Sequence, residues 1–202
     1  EVIDRVSEWS SKVGYDLKSS NESHTYRIVR KDKEVVVNEK GQFCSTNIVN
    51  TSLKELGLSG KNCFNKFIPS DYLNKASINQ RFELLKGLMD GDGTVSKSFC
   101  CEYSTSSEQL KNDICYLVRS LGGVARVSSR VPKYSYKGEK LEGALSYRIY
   151  IKLRNTSDMF YLTRKKNSCG NRKSELQDKI VSYKYIGKED VKCISKLYIN
   201  SV

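Results

Sequence analysis

Apolar residues recur every three or four positions in four segments of the chain, and this spacing predicts amphipathic helices. The segments are residues 2–13, 48–56, 77–91 and 108–121. Ser77 precedes Gln80 by three residues, the spacing of a capping box, so the third helix begins there and must end near Gly91. Glycines at positions 14, 57 and 122 close the other three helices. A shorter helical turn is predicted over residues 69–73.

Stretches rich in Val, Ile and Tyr, several with alternating apolar and polar residues, predict strands. They cover residues 24–29, 35–37, 99–104, 124–131 and 145–153. Residues 132–143 connect the last two of these strands as a basic segment that contains tyrosines, with turns predicted at Lys137-Gly138 and Glu142-Gly143. Residues 15–23 are interpreted as a polar connection. The mixture predicts an α/β (α+β) fold.

A weak internal repeat divides the chain. A helix, a glycine and strands containing Tyr-Arg-Ile occur at residues 26–28 and again at residues 147–149. The repeat predicts two related units with pseudo-twofold symmetry. Asp92 precedes Gly122 by 30 residues, and the same step back from Gly14 falls before residue 1. We therefore expect the first unit to be incomplete and to lack its copy of the 77–93 helix.

The charge of the chain narrows the classes of partner. Lys and Arg number 35 against 23 Asp and Glu, a net charge of +12, which favours nucleic acid first and an anionic membrane second. No apolar run approaches the ~18–20 residues of a membrane span. The single histidine, His24, excludes most His-based metal and triad chemistry. Seven cysteines without C-x-x-C spacing predict reduced, buried thiols and a cytoplasmic location.

Two carboxylates, Asp90 and Asp92, stand at the predicted C-terminal end of a helix, where the helix dipole disfavours negative charge. A cation at this point would explain them, and Mg²⁺ prefers such oxygen ligands together with water and phosphate. The alternative is an ordinary Asp-Gly turn closing a surface helix. Gly87 and Gly91 lie four residues apart on one face, so a second helix could approach closely there.

Residues 85–93 resemble the motif of the LAGLIDADG homing endonucleases, with matches at Leu85, Gly87, Leu88, Asp90, Asp92 and Gly93. The flanking sequence is similar to the intein-encoded members, at residues 66–69, 104–106, 117–123 and 145–149. The resemblance covers roughly residues 1–165. It implies an antiparallel β-saddle with packed helices, two of which meet at a pseudo-twofold axis through small residues such as Gly87 and Gly91.

The resemblance also implies roles in chemistry. Asp92 would be the metal ligand and catalytic carboxylate, holding Mg²⁺ or Mn²⁺ against a scissile phosphate, and Asp90 would close the helix. A lysine near each site would polarise water or offset charge. Lys152 is the candidate in the complete unit and Lys31 is its repeat partner. For both, the alternative is a solvated strand lysine.

The predicted DNA surface consists of the strand faces and the hairpin between them. Basic groups there would contact phosphates, while polar and aromatic groups could read base edges. The candidates are Arg126, Arg130, Lys133, Tyr134, Lys137, Lys140, Arg148 and Arg154. For Arg148 a neighbouring carboxylate is an alternative partner. The basic run at residues 164–166 could add phosphate contacts or be a soluble linker.

Three regions are therefore expected: residues 1–74 as an incomplete first half, 75–165 as a complete second half, and 166–202 as a basic linker with a β segment. Residues 179–195 look like the late strand pair of an intein splicing domain, although Glu1 and the Asn200-Ser201-Val202 terminus are wrong for splicing.

The sequence thus predicts a site-specific endonuclease that makes Mg²⁺-dependent double-strand breaks in a long DNA site. It would need a second motif-bearing half, for which a separate N-terminal piece is favoured over a homodimer, so the chain alone should cut weakly or not at all. The alternatives are a non-catalytic LAGLIDADG-derived DNA-binding protein and a piece of a split or autoprocessing intein.

Overall fold

The computed structural model of the protein describes residues 1–22, 24–32, 36–44, 47–169, 176 and 182–190. In this part of the chain the helices are α1 (Val2–Lys12), α2 (Ile48–Glu55), α3 (Ser70–Asn74), α4 (Ile78–Gly91), α5 (Glu108–Ser120) and α6 (Thr163–Ser168), with a 3-10 turn at Thr156–Met159. The strands are β1 (Tyr15–Ser19), β2 (Tyr26–Arg30), β3 (Val36–Val37), β4 (Phe43–Cys44), β5 (Gly93–Val95), β6 (Cys101–Thr105), β7 (Val124–Arg130), β8 (Lys133–Tyr136), β9 (Glu139–Glu142) and β10 (Ser146–Lys152). The predicted mixed fold of antiparallel sheets and packed helices is confirmed.

Four strands form the central sheet in the order β5-β6-β10-β7, and each neighbouring pair is antiparallel. Successive side chains of a strand point to opposite faces, so one face can be buried while the other meets water. On β10, Ile149 and Ile151 are 0% and 2% exposed, and they lie opposite Tyr103 and Cys101 of β6. The core therefore lies on one face of this sheet.

Helices α4 and α5 cover the buried face. Their contribution to the core is Leu85, Met89, Leu110, Ile114, Cys115, Leu117 and Val118. Helix α4 begins as predicted: the Gln80 N–H donates to Ser77 Oγ at 3.2 Å and the Ser77 N–H donates to Gln80 Oε1 at 2.9 Å. The helix passes directly into β5 through Gly93, where an added Cβ would lie 2.6 Å from the Met89 carbonyl oxygen. Only glycine fits this exit.

Residues 153–169 form a C-terminal arm that the hydrophobic pattern does not predict as helical. The arm contains the 3-10 turn and α6, and Met159 and Phe160 are fully buried in the same core as α4. Their burial brings the start of α6 to the C-terminal end of α4. This contact decides the geometry of the candidate site.

The N-terminal region repeats part of this arrangement in a smaller form. Helix α1 ends at Gly14, which has φ +82°, and leads into the antiparallel pair β1–β2, where Leu17 lies opposite Ile28. Strand β1 corrects the prediction of a polar connection over residues 15–23. Tyr15 and Leu17 do alternate with polar residues, but the run covers only four positions; in the structure Tyr15 is 6% exposed.

Strands β8 and β9 form a separate exposed hairpin between β7 and β10. The predicted turn at Lys137-Gly138 is confirmed, with φ +50° and +87°. Two residues at positive φ give the turn a twist that matches the flanking strands. The hairpin therefore projects its basic and tyrosine side chains into solvent.

The C-terminal segment is only partly described. Residues 182–190 have no helix or strand, and the remainder of the intein-like strand pair predicted over 179–195 lies outside the described residues. Within the described part of the chain, no helix has the length and apolar character needed to cross a membrane.

Candidate functional site

Asp92 caps the C-terminal end of α4, directly before the glycine that opens β5. Its backbone N–H donates to the Leu88 carbonyl at 3.0 Å, and its side chain is exposed. The Tyr103 hydroxyl lies 3.4 Å from Asp92 Oδ2. Burial, and then the nearby Asp92 charge, raise the pKa of Tyr103 to about 12, so the tyrosine keeps its proton at neutral pH and can donate to the carboxylate.

A polar pocket of about 370 Å³ opens beside Asp92. Its lining is Cys63, Lys66, Asp92, Tyr103, Ser104, Thr105, Ser106, Leu110 and Ser146. Lys66 is the basic residue of this lining. Its segment is fixed against α5, because the Lys66 carbonyl accepts from Ser107 Oγ at 2.6 Å and the Ile68 N–H donates to the buried Asp113 carboxylate at 2.8 Å. A cationic side chain and a carboxylate thus share one small opening.

Lys66 was not among the predicted catalytic residues, although its sequence carried a signal. Residues 66–69 contribute to the family resemblance, but the resemblance gives Lys66 no role in the chemistry. In the structure Lys66 lines the pocket, together with Ser104 and Thr105 at the end of β6 and Ser106 just beyond it.

Lys152 and Asp92 are not brought together. Gly93 pairs with Tyr103, so Asp92 is level with Ser104 and, one strand further, with Arg148. Lys152 lies four residues farther along β10, or about 14 Å at about 3.4 Å per residue. Lys152 also alternates with buried Ile151, which places it on the exposed face of the sheet.

Lys31 lies in the N-terminal region, away from the pocket lining of Asp92. Its Nζ is 4.0 Å from Asp16 Oδ1 and 3.4 Å from the Ser11 carbonyl oxygen at the end of α1. The catalytic roles given to Lys152 and Lys31 stay predictions that no contact with Asp92 supports.

Asp90 and Lys165 join the end of α4 to the C-terminal arm. Asp90 Oδ2 accepts from the Tyr161 N–H at 2.9 Å, and Oδ1 accepts from the Leu162 N–H at 3.3 Å. Lys165 Nζ donates to the carbonyl oxygens of Met89, Asp90 and Gly93 at 2.8, 2.8 and 2.7 Å. Lys165 is 8% exposed, and burial lowers its pKa.

This placement corrects one interpretation of the basic run at residues 164–166. Lys165 belongs to the interior and is neither a phosphate contact nor part of a soluble linker, whereas Arg164 and Lys166 on either side are exposed. A run of three basic residues gives no sign that the middle one is buried, since its carbonyl partners lie more than seventy residues earlier in the chain.

The exposed face of the central sheet carries three of the eight predicted DNA contacts, Arg126, Arg130 and Arg148. Arg148 pairs with Ser128 of β7, which puts Arg126 and Arg130 on the same face as Arg148 and Lys152. Arg148 Nε also lies 3.3 Å from Glu102 Oε2, so the carboxylate alternative for this residue is realised in the protein alone. Two of these basic residues lie next to the lining of the Asp92 pocket, because Arg148 pairs with Ser104 and Arg130 pairs with Ser146.

The remaining predicted contacts lie on or after the hairpin and β10. Tyr134 is 52% exposed, Lys133 Nζ is 3.4 Å from Glu142 Oε1, and Lys137 Nζ lies 5.5 Å from the ring centre of Tyr136. Lys140 is exposed on β9 and Arg154 is exposed just beyond β10. All are accessible to a polyanion.

Gly87 and Gly91 face open space, with no atom within 4 Å of an added Cβ at either position. An apolar groove of about 510 Å³ runs along the same helix and also reaches Asp92. Its lining includes Leu84 and Leu88 of α4 and Leu53 and Leu56 of the α2 region. This face of α4 is therefore uncovered in the described part of the chain.

The described side chains around Asp92 offer a divalent cation a single carboxylate, from Asp92 itself. Among the described residues, no group of three or more His, Cys, Asp or Glu side chains could hold a metal ion. A single exposed carboxylate beside hydroxyl groups still suits Mg²⁺, which binds through one or two carboxylates and keeps water and phosphate oxygens as its other ligands. Asp92 fits as one protein ligand of a site completed by other groups.

The model of the LAGLIDADG-like domain family matches residues 79–168, from the first turn of α4 to the end of α6. Residues 79–168 form a LAGLIDADG-like domain. The domain thus includes Asp92, the central sheet, the hairpin and the arm that carries Lys165.

Over 140 residues the chain is 30% identical to the replicative DNA helicase DnaB of Mycobacterium intracellulare. The match covers 69% of this chain and 22% of that protein, so the chain spans about a fifth of the length of the curated relative it matches.

Proposed function

We propose that the protein is a site-specific DNA endonuclease that hydrolyses phosphodiester bonds with a divalent cation, Mg²⁺ or Mn²⁺, bound at Asp92. The observation that carries this proposal is the position of Asp92. An exposed carboxylate stands at the end of the LAGLIDADG helix, in a pocket that it shares with Lys66 and beside a basic sheet face.

The sheet face and the hairpin bind the DNA. Arg126, Arg130 and Lys152 neutralise phosphates, and Ser128, Ser104 and Tyr150 on the same face are available to base edges. Arg148 exchanges its Glu102 partner for a phosphate or retains it as an orienting contact. Because Asp92 is level with Arg148 in the strand register, a duplex lying across this face brings its backbone to the pocket.

In the pocket, Asp92 holds the cation, and the Tyr103 hydroxyl donates to the carboxylate and fixes its orientation. When bound, the cation polarises the phosphate and lowers the pKa of a bound water. Lys66 stabilises the negative charge that develops on the phosphate oxygens, because it lines the same opening as Asp92. This role replaces Lys152 with Lys66 as the candidate lysine for this half.

A second motif-bearing half completes the enzyme. An apolar groove along a helix whose glycines are bare favours a second helix packed at close range. We favour a non-identical half over a second copy of this chain, since α2 already walls the groove and two copies would crowd it. The second half brings its own carboxylate, so one strand of DNA is cut by each half.

The intein-encoded origin is also part of this proposal. The relative is named for a helicase, and this chain matches only 22% of it. A 140-residue match and a domain over residues 79–168 must overlap in a chain of 202 residues. A LAGLIDADG-like domain carried within a longer polypeptide named for another activity is the arrangement that an intein would produce.

The decisive variant is Asp92→Asn, which keeps the shape of the side chain and removes its charge. With supercoiled plasmid carrying host genomic fragments and Mg²⁺ or Mn²⁺, we expect cleavage or nicking to fall by at least about 10²-fold. Binding of the same DNA in a gel shift should change less than about twofold, since Asp92 is one residue of a large interface. Asp158→Asn, an exposed aspartate of the 3-10 turn, is the matched control.

Each result has a distinct meaning. Unchanged cleavage by Asp92→Asn would overturn the assignment of the site. A wild-type protein that shifts DNA at every metal concentration tested and never cuts it, even with a second half present, would support the non-catalytic DNA-binding alternative. A protein that neither binds nor cuts DNA would contradict both.

A further inference from the structure

Lys165 occupies a position that its local sequence does not explain. Its ammonium group is buried against the C-terminal end of α4 and uses all three of its hydrogens, on the carbonyl oxygens of Met89, Asp90 and Gly93. Its neighbour Lys166 in the same helix is exposed. Burying an ammonium group is costly unless its partners are well placed, and here the three distances are 2.7–2.8 Å.

Two of the three acceptors lie on either side of Asp92. The Asp90 carbonyl belongs to the last turn of α4, where carbonyl groups have no partner within the helix. The Gly93 carbonyl belongs to the first residue of β5. Because one ammonium group binds both carbonyls, the backbone between them, which contains Asp92 with a glycine on either side, is held at both ends.

The contact is reciprocal. While Lys165 of α6 binds the end of α4, the Asp90 carboxylate of α4 accepts from the N–H groups of Tyr161 and Leu162, which immediately precede α6. We call these two sets of bonds the α4–α6 clasp. The ammonium group also complements the negative end of the α4 dipole.

We propose that Lys165 is a positioning residue, and that the α4–α6 clasp fixes the Asp92 turn in the geometry in which its carboxylate would hold a divalent cation. Lys165 acts through the backbone, because its three hydrogens are already bonded and its side chain is away from solvent. The link to cleavage rests on the function proposed above, whereas the clasp itself can be tested without it.

The first test measures the backbone of Asp92 in the full chain. In Lys165→Met, which keeps the length of the side chain and removes its charge, hydrogen exchange at the Asp92 amide should accelerate by about tenfold. The amides of Ile149 and Ile151 in β10 should change by less than about twofold. Lys166→Met is the matched control and should leave every one of these amides unchanged.

The second test measures the consequence for cleavage in the assembled enzyme. Lys165→Met should raise the Mg²⁺ concentration at half-maximal cleavage by about 10-fold or more, with DNA affinity within about twofold of wild type. Lys165→Arg keeps the charge and the donors and should recover part of the loss. A purely structural role would lower the unfolding temperature of both variants without moving the Mg²⁺ midpoint.

The outcomes separate the two proposals. Equal acceleration at Asp92 and Ile149, or none at Asp92, would overturn the clasp whatever Asp92 does in catalysis. Accelerated exchange with an unchanged Mg²⁺ midpoint would overturn the positioning role alone. If Lys165→Met does not fold, Asp90→Asn, which weakens the other half of the clasp, should still accelerate exchange at Asp92.

Discussion

Two regions of this molecule share a local plan and differ in how much they bury. In the second region α5 ends at a left-handed glycine and leads into β7, which pairs with β10. In the first, α1 ends at Gly14 and leads into β1, which pairs with β2. Helix α5 buries six side chains, whereas Ser10 is the buried residue of α1 and Trp9 and Val13 are 46% and 43% exposed.

The difference shows what α4 contributes to the packing of the second region. The second region has α4 and the C-terminal arm against its helix and sheet, and they close the core around Met89 and Phe160. The first region has no such helix among the described residues, and a cavity of about 690 Å³ lies beside Trp9, Tyr15 and Leu53. Secondary structure forms in both regions, but a dry core requires the additional layer.

The largest expected effect tests this contrast at equivalent positions of the repeat. Ile149→Ala removes a fully buried side chain from β10 and should lower the free energy of unfolding by about 2–5 kcal/mol. Ile28→Ala makes the same change in the half-buried β2 and should cost about 1 kcal/mol. Denaturant unfolding followed by circular dichroism measures both. Equal losses would show that the first region is packed as tightly as the second.

A smaller effect should appear as a difference between two probes of unfolding, one in each region. Trp9 is the single tryptophan, so its fluorescence reports α1 alone. Because α1 buries little, we expect the Trp9 transition to precede the loss of hydrogen-exchange protection in β10, by about 1 kcal/mol or more in local stability. Coincident transitions would mean that the contacts of α1 with the C-terminal arm, such as Arg5 over the Tyr161 ring at 3.4 Å, couple the two regions fully.

The sequence predicted the parts of the fold that rest on local rules. The capping box at Ser77, the glycine after α5 and the Lys137-Gly138 turn all depend on residues a few positions apart, and all are confirmed. Strand β1 was missed because its alternation of apolar and polar residues covers only four positions. The C-terminal arm was missed because its fold depends on burial against α4.

The candidate site likewise contains residues that local sequence identifies and residues that it does not. Asp92 could be chosen from its position at a helix end, which is a local property. Lys152 and Lys31 were chosen by counting along the repeat. Counting does not determine the strand register, and so it does not show which residues lie opposite one another in the sheet. Lys66 is held by a contact with Ser107, 41 residues away, and Lys165 by contacts with the end of α4 and the start of β5, 72–76 residues away. No pattern within a single segment contains that information.

The smallest expected effect concerns the bare face of α4. Gly87→Ala adds a methyl group to a helix interior with nothing within 4 Å, so it should stabilise the isolated chain by about 0.5–1 kcal/mol. The same methyl group at Gly93 would lie 2.6–2.8 Å from atoms of Met89, and Gly93→Ala should therefore destabilise it.

The sign of the Gly87 effect should reverse in the assembled enzyme, because a second helix packed on this face needs the space that the methyl group occupies. Denaturant unfolding of the chain alone and sedimentation with a candidate second half measure the two sides. If Gly87→Ala destabilised the isolated chain, the face would already be covered, by a second copy or by part of the same chain. If it stabilised the chain and left assembly intact, the second half would dock elsewhere, and the two regions would differ for a reason other than a missing helix.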